Sequence, residues 1–166
     1  TKFLCMPKTA LITGGSSGIG LELAKLFARD GIDLVLISRD AEKLNRAITE
    51  IREEYPIKIC GITRDLSTPD AVADALDIFA ELKRDGVQID YLVNNAGFGV
   101  YDKFLDADLT RELAMIQLHV IVTTAFTKLF AADMSARGGG KILNVASTAA
   151  FQPGPWMTVY YATKAY

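Results

Sequence analysis

Ser147 and the pair Tyr160-x-x-x-Lys164 have the types and spacing to move a proton to or from an oxygen. Tyr160 and Lys164 stand at i and i+4, so on a helix they share one face. A free phenol ionises near ~10, too high for acid–base work at neutral pH, and a neighbouring ammonium favours the phenolate and lowers that value. Each unit of lowering takes about 1.4 kcal/mol of differential interaction. A phenol so perturbed can give a proton to a developing alkoxide and take one back in the reverse direction. The Ser147 hydroxyl can hydrogen-bond an oxygen. Tyr161 has Ala165 as its i+4 partner and reads as packing.

Far upstream, Thr13-Gly-Gly-Ser-Ser-Gly-Ile-Gly20 spaces its glycines as Gly14-x-x-x-Gly18-x-Gly20. Glycines permit a tight turn with positive φ and let a pyrophosphate reach the backbone N–H groups of a helix N-terminus. Ser16 and Ser17 add hydroxyls, and Ile19 sits between the last two glycines. Alone, such a triplet also suits a plain strand-to-helix turn; after the first strand of a βαβ unit it reads as a dinucleotide site. The second strand ends in Ile37-Ser38-Arg39-Asp40. There the acidic residue that reads an NAD ribose is replaced by Ser38, which leaves room, and Arg39, whose guanidinium suits a 2′-phosphate. NADP is favoured over NAD, with a solvated loop role for Arg39 left open. Asp40 reads as the cap of the following helix.

Short apolar runs alternating with longer amphipathic ones position these residues, the pattern of a parallel sheet with crossover helices. Strands are expected at Thr9–Thr13, Leu34–Ile37, Ile57–Thr63, Tyr91–Asn94 and Lys141–Ala146. Helices are expected from the glycine loop to about Arg29, after Asp40, from Pro69 at a first turn, and from about Leu109 to Ser135, with Gly138–Gly140 as a stop. The whole reads as one doubly wound Rossmann-type domain with strand order 3-2-1-4-5 and its ligand crevice beside strands 1 and 4.

The 166 residues suffice for one domain with a real core, and half of them are hydrophobic. A net charge of -2, with Lys and Arg scattered apart from Lys83-Arg84, argues against a nucleic-acid surface. No apolar run approaches the ~20 residues needed to span a bilayer, so no membrane role is expected. Cys5 and Cys60 follow no metal spacing; they could pair, but read first as free buried thiols in a reducing, cytoplasmic setting.

Together Thr13–Gly20, Asn94-Asn-Ala-Gly97, Ser147 and Tyr160-x-x-x-Lys164 resemble the short-chain dehydrogenase/reductase family over essentially the whole chain. The resemblance implies an oxidoreductase that moves a hydride between NADP(H) and a small carbonyl or secondary alcohol. It further implies that Tyr160 is the proton donor and, in reverse, the base, that Ser147 holds the substrate oxygen, that Lys164 bonds the nicotinamide ribose, and that Asn94, Ala96 and Gly97 line the adenosine side. Asp65 and Leu66 match an adenine-contacting pair, with a plain helix cap as the other reading of Asp65. Family members assemble as dimers or tetramers through their long helices, and the same is expected of the complete protein.

Two features depart from the family pattern. Its fourth catalytic residue is an asparagine that holds a water in a proton relay to the lysine, and the matching stretch, Met115-Ile-Gln-Leu-His119, carries the chain's one histidine instead. His119 takes over the relay, packs in the core without a role, or marks a weakened enzyme. Second, the sequence stops two residues after Lys164, short of the strands and substrate segment that family members add. The expectation is an incomplete fold, with strand 5 as an exposed edge. Two rivals follow: a dinucleotide-binding module with little or no catalysis, and an epimerase or dehydratase with retained cofactor. Pro153-Gly-Pro-Trp-Met157 suggests an apolar rim and an apolar substrate. Asp102 has no assignable role.

Overall fold

The computed structural model describes residues 8–166. Five parallel strands form one sheet in the order β3-β2-β1-β4-β5, as the alternation of runs predicts. They are β1 (Thr9–Thr13), β2 (Asp33–Ser38), β3 (Ile59–Thr63), β4 (Tyr91–Asn94) and β5 (Lys141–Asn144). The period-2 alternation of strand side chains divides the core in two. Ala10, Ile12, Leu34, Leu36 and Val93 pack on one side against α1 (Gly18–Arg29) and α2 (Ala41–Glu54), through Ala24, Ala28, Leu44, Ile48 and Ile51. Leu11, Val35, Ile37 and Leu92 face the other way, onto α3 (Ala71–Arg84) and a long helix that ends in Phe126, Phe130 and Met134.

That long helix runs as α4 (Leu109–Ile116), a π-helical turn over Gln117–Val122, and α5 (Thr123–Ala136). Its 28 residues are long and apolar enough, by length and composition, to cross a membrane, contrary to the sequence expectation. Arg111, Glu112, Lys128 and Asp133 interrupt its apolar runs without offsetting its mean hydropathy. Its inner face is core of this fold.

Three further expectations are corrected. Pro69 does not open α3. It occupies the second position of a turn closed by the Ala71 N–H on the Thr68 carbonyl, the place its fixed φ suits, and α3 starts two residues later. Strand β3 begins at Ile59 rather than Ile57, and β5 ends at Asn144 rather than Ala146. Cys60 is exposed on the outer strand β3, not buried; Cys5 lies outside the described residues. Asp40 does cap α2, its carboxylate accepting from the Lys43 N–H at 3.0 Å. At the opposite edge of the sheet, β5 leaves Leu143 exposed.

Candidate active site

Where the strand order reverses, between β1 and β4, a groove of about 620 Å³ crosses the carboxyl ends of the strands. Gly14, Ser16, Ser17 and Ile19 form its near wall. Gly14 (φ +68°) and Gly18 (φ +54°) use the left-handed region. Gly18 and Gly20 shape the loop from outside the groove lining. A Cβ on Gly20 would fall on the Gly14 carbonyl oxygen and the Asn95 amide, so only hydrogen lets α1 start this close to the loop.

At one end lie Ser38, Arg39, Lys43, Arg64, Asp65 and Leu66. The Ser16 and Ser38 hydroxyls are hydrogen-bonded at 2.8 Å, which joins the glycine loop to the end of β2. Asp65 is not a helix cap: its carboxylate accepts from the Ser67 N–H at 2.9 Å and from the Ser67 hydroxyl. Burial works against that carboxylate, yet the Ser67 hydrogen bonds and the Arg39 charge hold it below its usual range. Arg64 gives one guanidinium nitrogen to Asp74 at 3.2 Å, while its Nε is buried without a partner.

Sequence reasoning missed Asn95. Asn94, expected beside the cofactor, is buried on β4 and turns away, its amide donating to Thr127 Oγ1 at 3.1 Å and Asn144 Oδ1 at 2.8 Å. Alternation along the strand sends its neighbour the other way, and Asn95, Ala96 and Gly97 line the groove. Asn95 donates its amide to the Thr13 and Gly14 carbonyls at 3.0 and 3.3 Å. In return, the Thr13 hydroxyl accepts from the N–H groups of Asn95 and Ala96, both at 3.0 Å. The signal was the pair of polar residues flanking two glycine-bearing segments, Thr13 ahead of Gly14 and Asn95 ahead of Gly97.

The other end of the groove belongs to α6 (Thr158–Ala165), which brings Tyr160 and Lys164 to the lining from one face, as their spacing predicts. Lys164 Nζ donates to the Val145 carbonyl at 2.9 Å, just beyond β5, and burial lowers the pKa of its ammonium. Ser147 stands outside the groove lining, half-buried, capping a short 3-10 turn (Thr148–Phe151) by accepting from the Ala149 N–H at 3.1 Å. Outside the groove lining, the exposed Tyr101 and Trp156 rings stack at 5.7 Å and 10°. Met157 joins the lining from the expected apolar rim. Asp102 helps hold that rim, its N–H donating to the Trp156 carbonyl at 2.9 Å.

His119 is 6% exposed, in the π-helical turn behind Tyr160. Its Nε2 accepts from the Phe98 N–H at 3.1 Å, and its Nδ1 lies 2.9 Å from Thr163 Oγ1. Burial first, and the Lys164 charge second, push its pKa down to about 4. No cluster of metal-ligating side chains occurs among the described residues.

Residues 8–166 match the family described as short chain dehydrogenase. Very-long-chain 3-oxoacyl-CoA reductase from Mus musculus is 34% identical over 163 residues, covering 95% of this chain and 50% of the relative. The chain thus spans about half the length of the curated relatives it matches. A bulky-bulky ketone specific alcohol dehydrogenase from Comamonas testosteroni is 35% identical with a TM-score of 0.86, over 95% of this chain and 62% of that one. A short-chain dehydrogenase from Sphingobium yanoikuyae, solved in complex with NADPH, is 34% identical with the same TM-score of 0.86, over 95% of this chain and 61% of that one.

Proposed function

The chain belongs to the short-chain dehydrogenase family, and on that premise we propose that the protein interconverts a carbonyl and a secondary alcohol using NADP(H). The observation that carries this reading is the meeting of Tyr160 and Lys164 with the glycine loop along one groove. The groove suits a dinucleotide: its glycines admit close approach, and at the adenosine end three cationic side chains gather, with the Arg64 Nε buried and unpartnered. Gly14, Ser16, Ser17 and Ile19 would hold the pyrophosphate. Asp65 and Leu66 would hold the adenine, and Arg39 a 2′-phosphate, which favours NADP over NAD. The NADPH-bound relative supports the same preference. When bound, the cofactor supplies the hydride.

The chain's own residues supply orientation and the proton. Tyr160 gives its phenolic proton to the substrate oxygen during reduction and takes it back during oxidation. Lys164, pinned by the Val145 carbonyl, holds a positive charge on the Tyr160 side of the groove. Ser147 is assigned to hold the substrate oxygen: its Oγ accepts from the Ala149 N–H, which leaves the hydroxyl hydrogen to donate. Met157 gives this end of the groove an apolar side chain, the exposed Tyr101–Trp156 stack adjoins it in sequence through Trp156, and with the relatives' names they favour a ketone that carries a bulky apolar group. A homo-oligomer docking along the long helix, where Leu109 and Leu113 are exposed, and a reducing cytoplasmic setting suited to the exposed Cys60 thiol complete the proposal. The test is NADPH consumption at 340 nm against a panel of bulky ketones and 3-oxoacyl thioesters. The wild type should consume NADPH and Tyr160→Phe should be slower by about 100-fold or more with NADPH affinity kept. NADPH binding without consumption on any panel member would favour the non-catalytic rival.

A further inference from the structure

We propose that His119 is a positioning residue, a neutral strut that fixes the helix carrying Tyr160 and Lys164 against the backbone of the cofactor groove, and not a member of a proton relay. The direction of each hydrogen bond decides this. The Phe98 N–H can only donate, so the Nε2 it meets at 3.1 Å carries no proton. The single imidazole proton is then on Nδ1, pointing at Thr163 Oγ1 2.9 Å away. Thr163 spends its own hydroxyl hydrogen on the Tyr160 carbonyl at 2.9 Å. One directed chain therefore runs from the groove backbone through His119 and Thr163 to the residue that bears the phenol, and buried networks of this kind are stiff when fully satisfied.

Packing reinforces it. The His119 ring meets the Tyr160 ring edge-on at 5.8 Å and the Phe98 ring at 6.1 Å. A Cβ on Gly97 would come within 2.7 Å of Nε2, so the groove backbone passes directly over the imidazole. The π-helical turn Gln117–Val122 offsets the long helix at this point, a device frequent at functional sites. With both ring nitrogens committed and the group 6% exposed, no nitrogen is left for a relay water. Taking up a proton would turn Nε2 into a donor facing a donor. Lys164, the residue after Thr163, adds a second penalty against an imidazolium.

This inference rests on the reductase reading for its consequence, while its geometry can be tested without substrate. Nitrogen NMR of the labelled protein, with the His119 signal assigned by its loss in His119→Phe, should show the Nδ1–H tautomer alone, unchanged from pH 5 to 8. Titration within that window, or the Nε2–H tautomer, would overturn the strut. In the active enzyme, Thr163→Val should lower kcat about tenfold, displace the alkaline limb of the pH–rate profile, and leave NADPH affinity within twofold. Thr163→Ser, which keeps the hydroxyl, should restore both kcat and profile. A Thr163→Val enzyme as fast as wild type would refute the positioning role. A protein that shows the single tautomer and yet reduces no carbonyl would refute the reductase reading alone.

Discussion

Replacing Thr13 by valine removes one oxygen from the junction between the two segments that build the groove. Thr13 is 4% exposed at the end of β1, and its hydroxyl accepts from the N–H groups of both Asn95 and Ala96 while donating to the Val93 carbonyl at 3.4 Å. Valine keeps the shape, so no cavity forms and the loss is polar. A buried donor left without an acceptor costs about 1–3 kcal/mol. Both donors here are only partly buried, which places the pair at about 2–4 kcal/mol. Thr13→Ser keeps the oxygen and loses one methyl, worth about 1 kcal/mol. Urea unfolding of the three proteins, with slopes unchanged, should rank them wild type, serine, valine. NADPH binding should weaken in the valine variant, because Asn95–Gly97 line the groove. A valine variant within about 0.5 kcal/mol of wild type, or a serine variant no better than valine, would show that the Thr13 hydroxyl does not hold this junction.

Gly20→Ala should cost at least about 1–3 kcal/mol of stability and most NADPH affinity, since its Cβ would overlap the Gly14 carbonyl oxygen; fluorescence titration of NADPH checks it. Arg39→Ala should weaken NADPH binding about tenfold or more and leave NADH binding within twofold, measured by calorimetry. An unfolded imidazole takes its proton near 6.5 and the folded His119 only near 4, so the unfolded state binds more protons between those values. The stability contributed by neutral His119 is complete above pH 6.5 and drains as pH falls through 4, by up to about 3 kcal/mol. Unfolding free energies from pH 4 to 7 should therefore rise more steeply for wild type than for His119→Phe. Asp133→Asn should lower the melting temperature, because Asp133 joins Lys83 on α3 to Arg137 at the end of α5, with its carboxylate held below the usual range chiefly by the Lys83 hydrogen bond.

Strand β1 was legible to the residue because an apolar run ends abruptly in glycines, and the strand order followed from the alternation of runs. Pairing at i and i+4 likewise placed Tyr160 and Lys164 together. Misreadings arose where local signals have two uses. Proline suits both a helix first turn and the second position of a β-turn, and Pro69 takes the latter. Adjacent asparagines on a strand point opposite ways and the sequence does not say which faces a ligand; here it is Asn95, not Asn94, that lines the groove. Apolar neighbours such as those of Cys60 suit both central and outer strands, and only the sheet order puts β3 at the edge with its thiol exposed. The partners of His119, Phe98 and Thr163, are 21 and 44 residues away, beyond any local pattern. Ser147 was placed near the end of strand 5 by its position, but its present partner, Ala149, follows from a short turn no periodicity announces.

Hydride transfer to a carbonyl leaves an isotope trace on the product. NADPH carrying deuterium at the transferable position, incubated with the purified enzyme and a bulky ketone, should yield an alcohol one mass unit heavier, with the deuterium on the former carbonyl carbon. The label should enter at least about 100-fold more slowly with Tyr160→Phe. An unlabelled product, or a changed substrate with no net consumption of NADPH, would rule out carbonyl reduction and point to the epimerase or dehydratase chemistry instead.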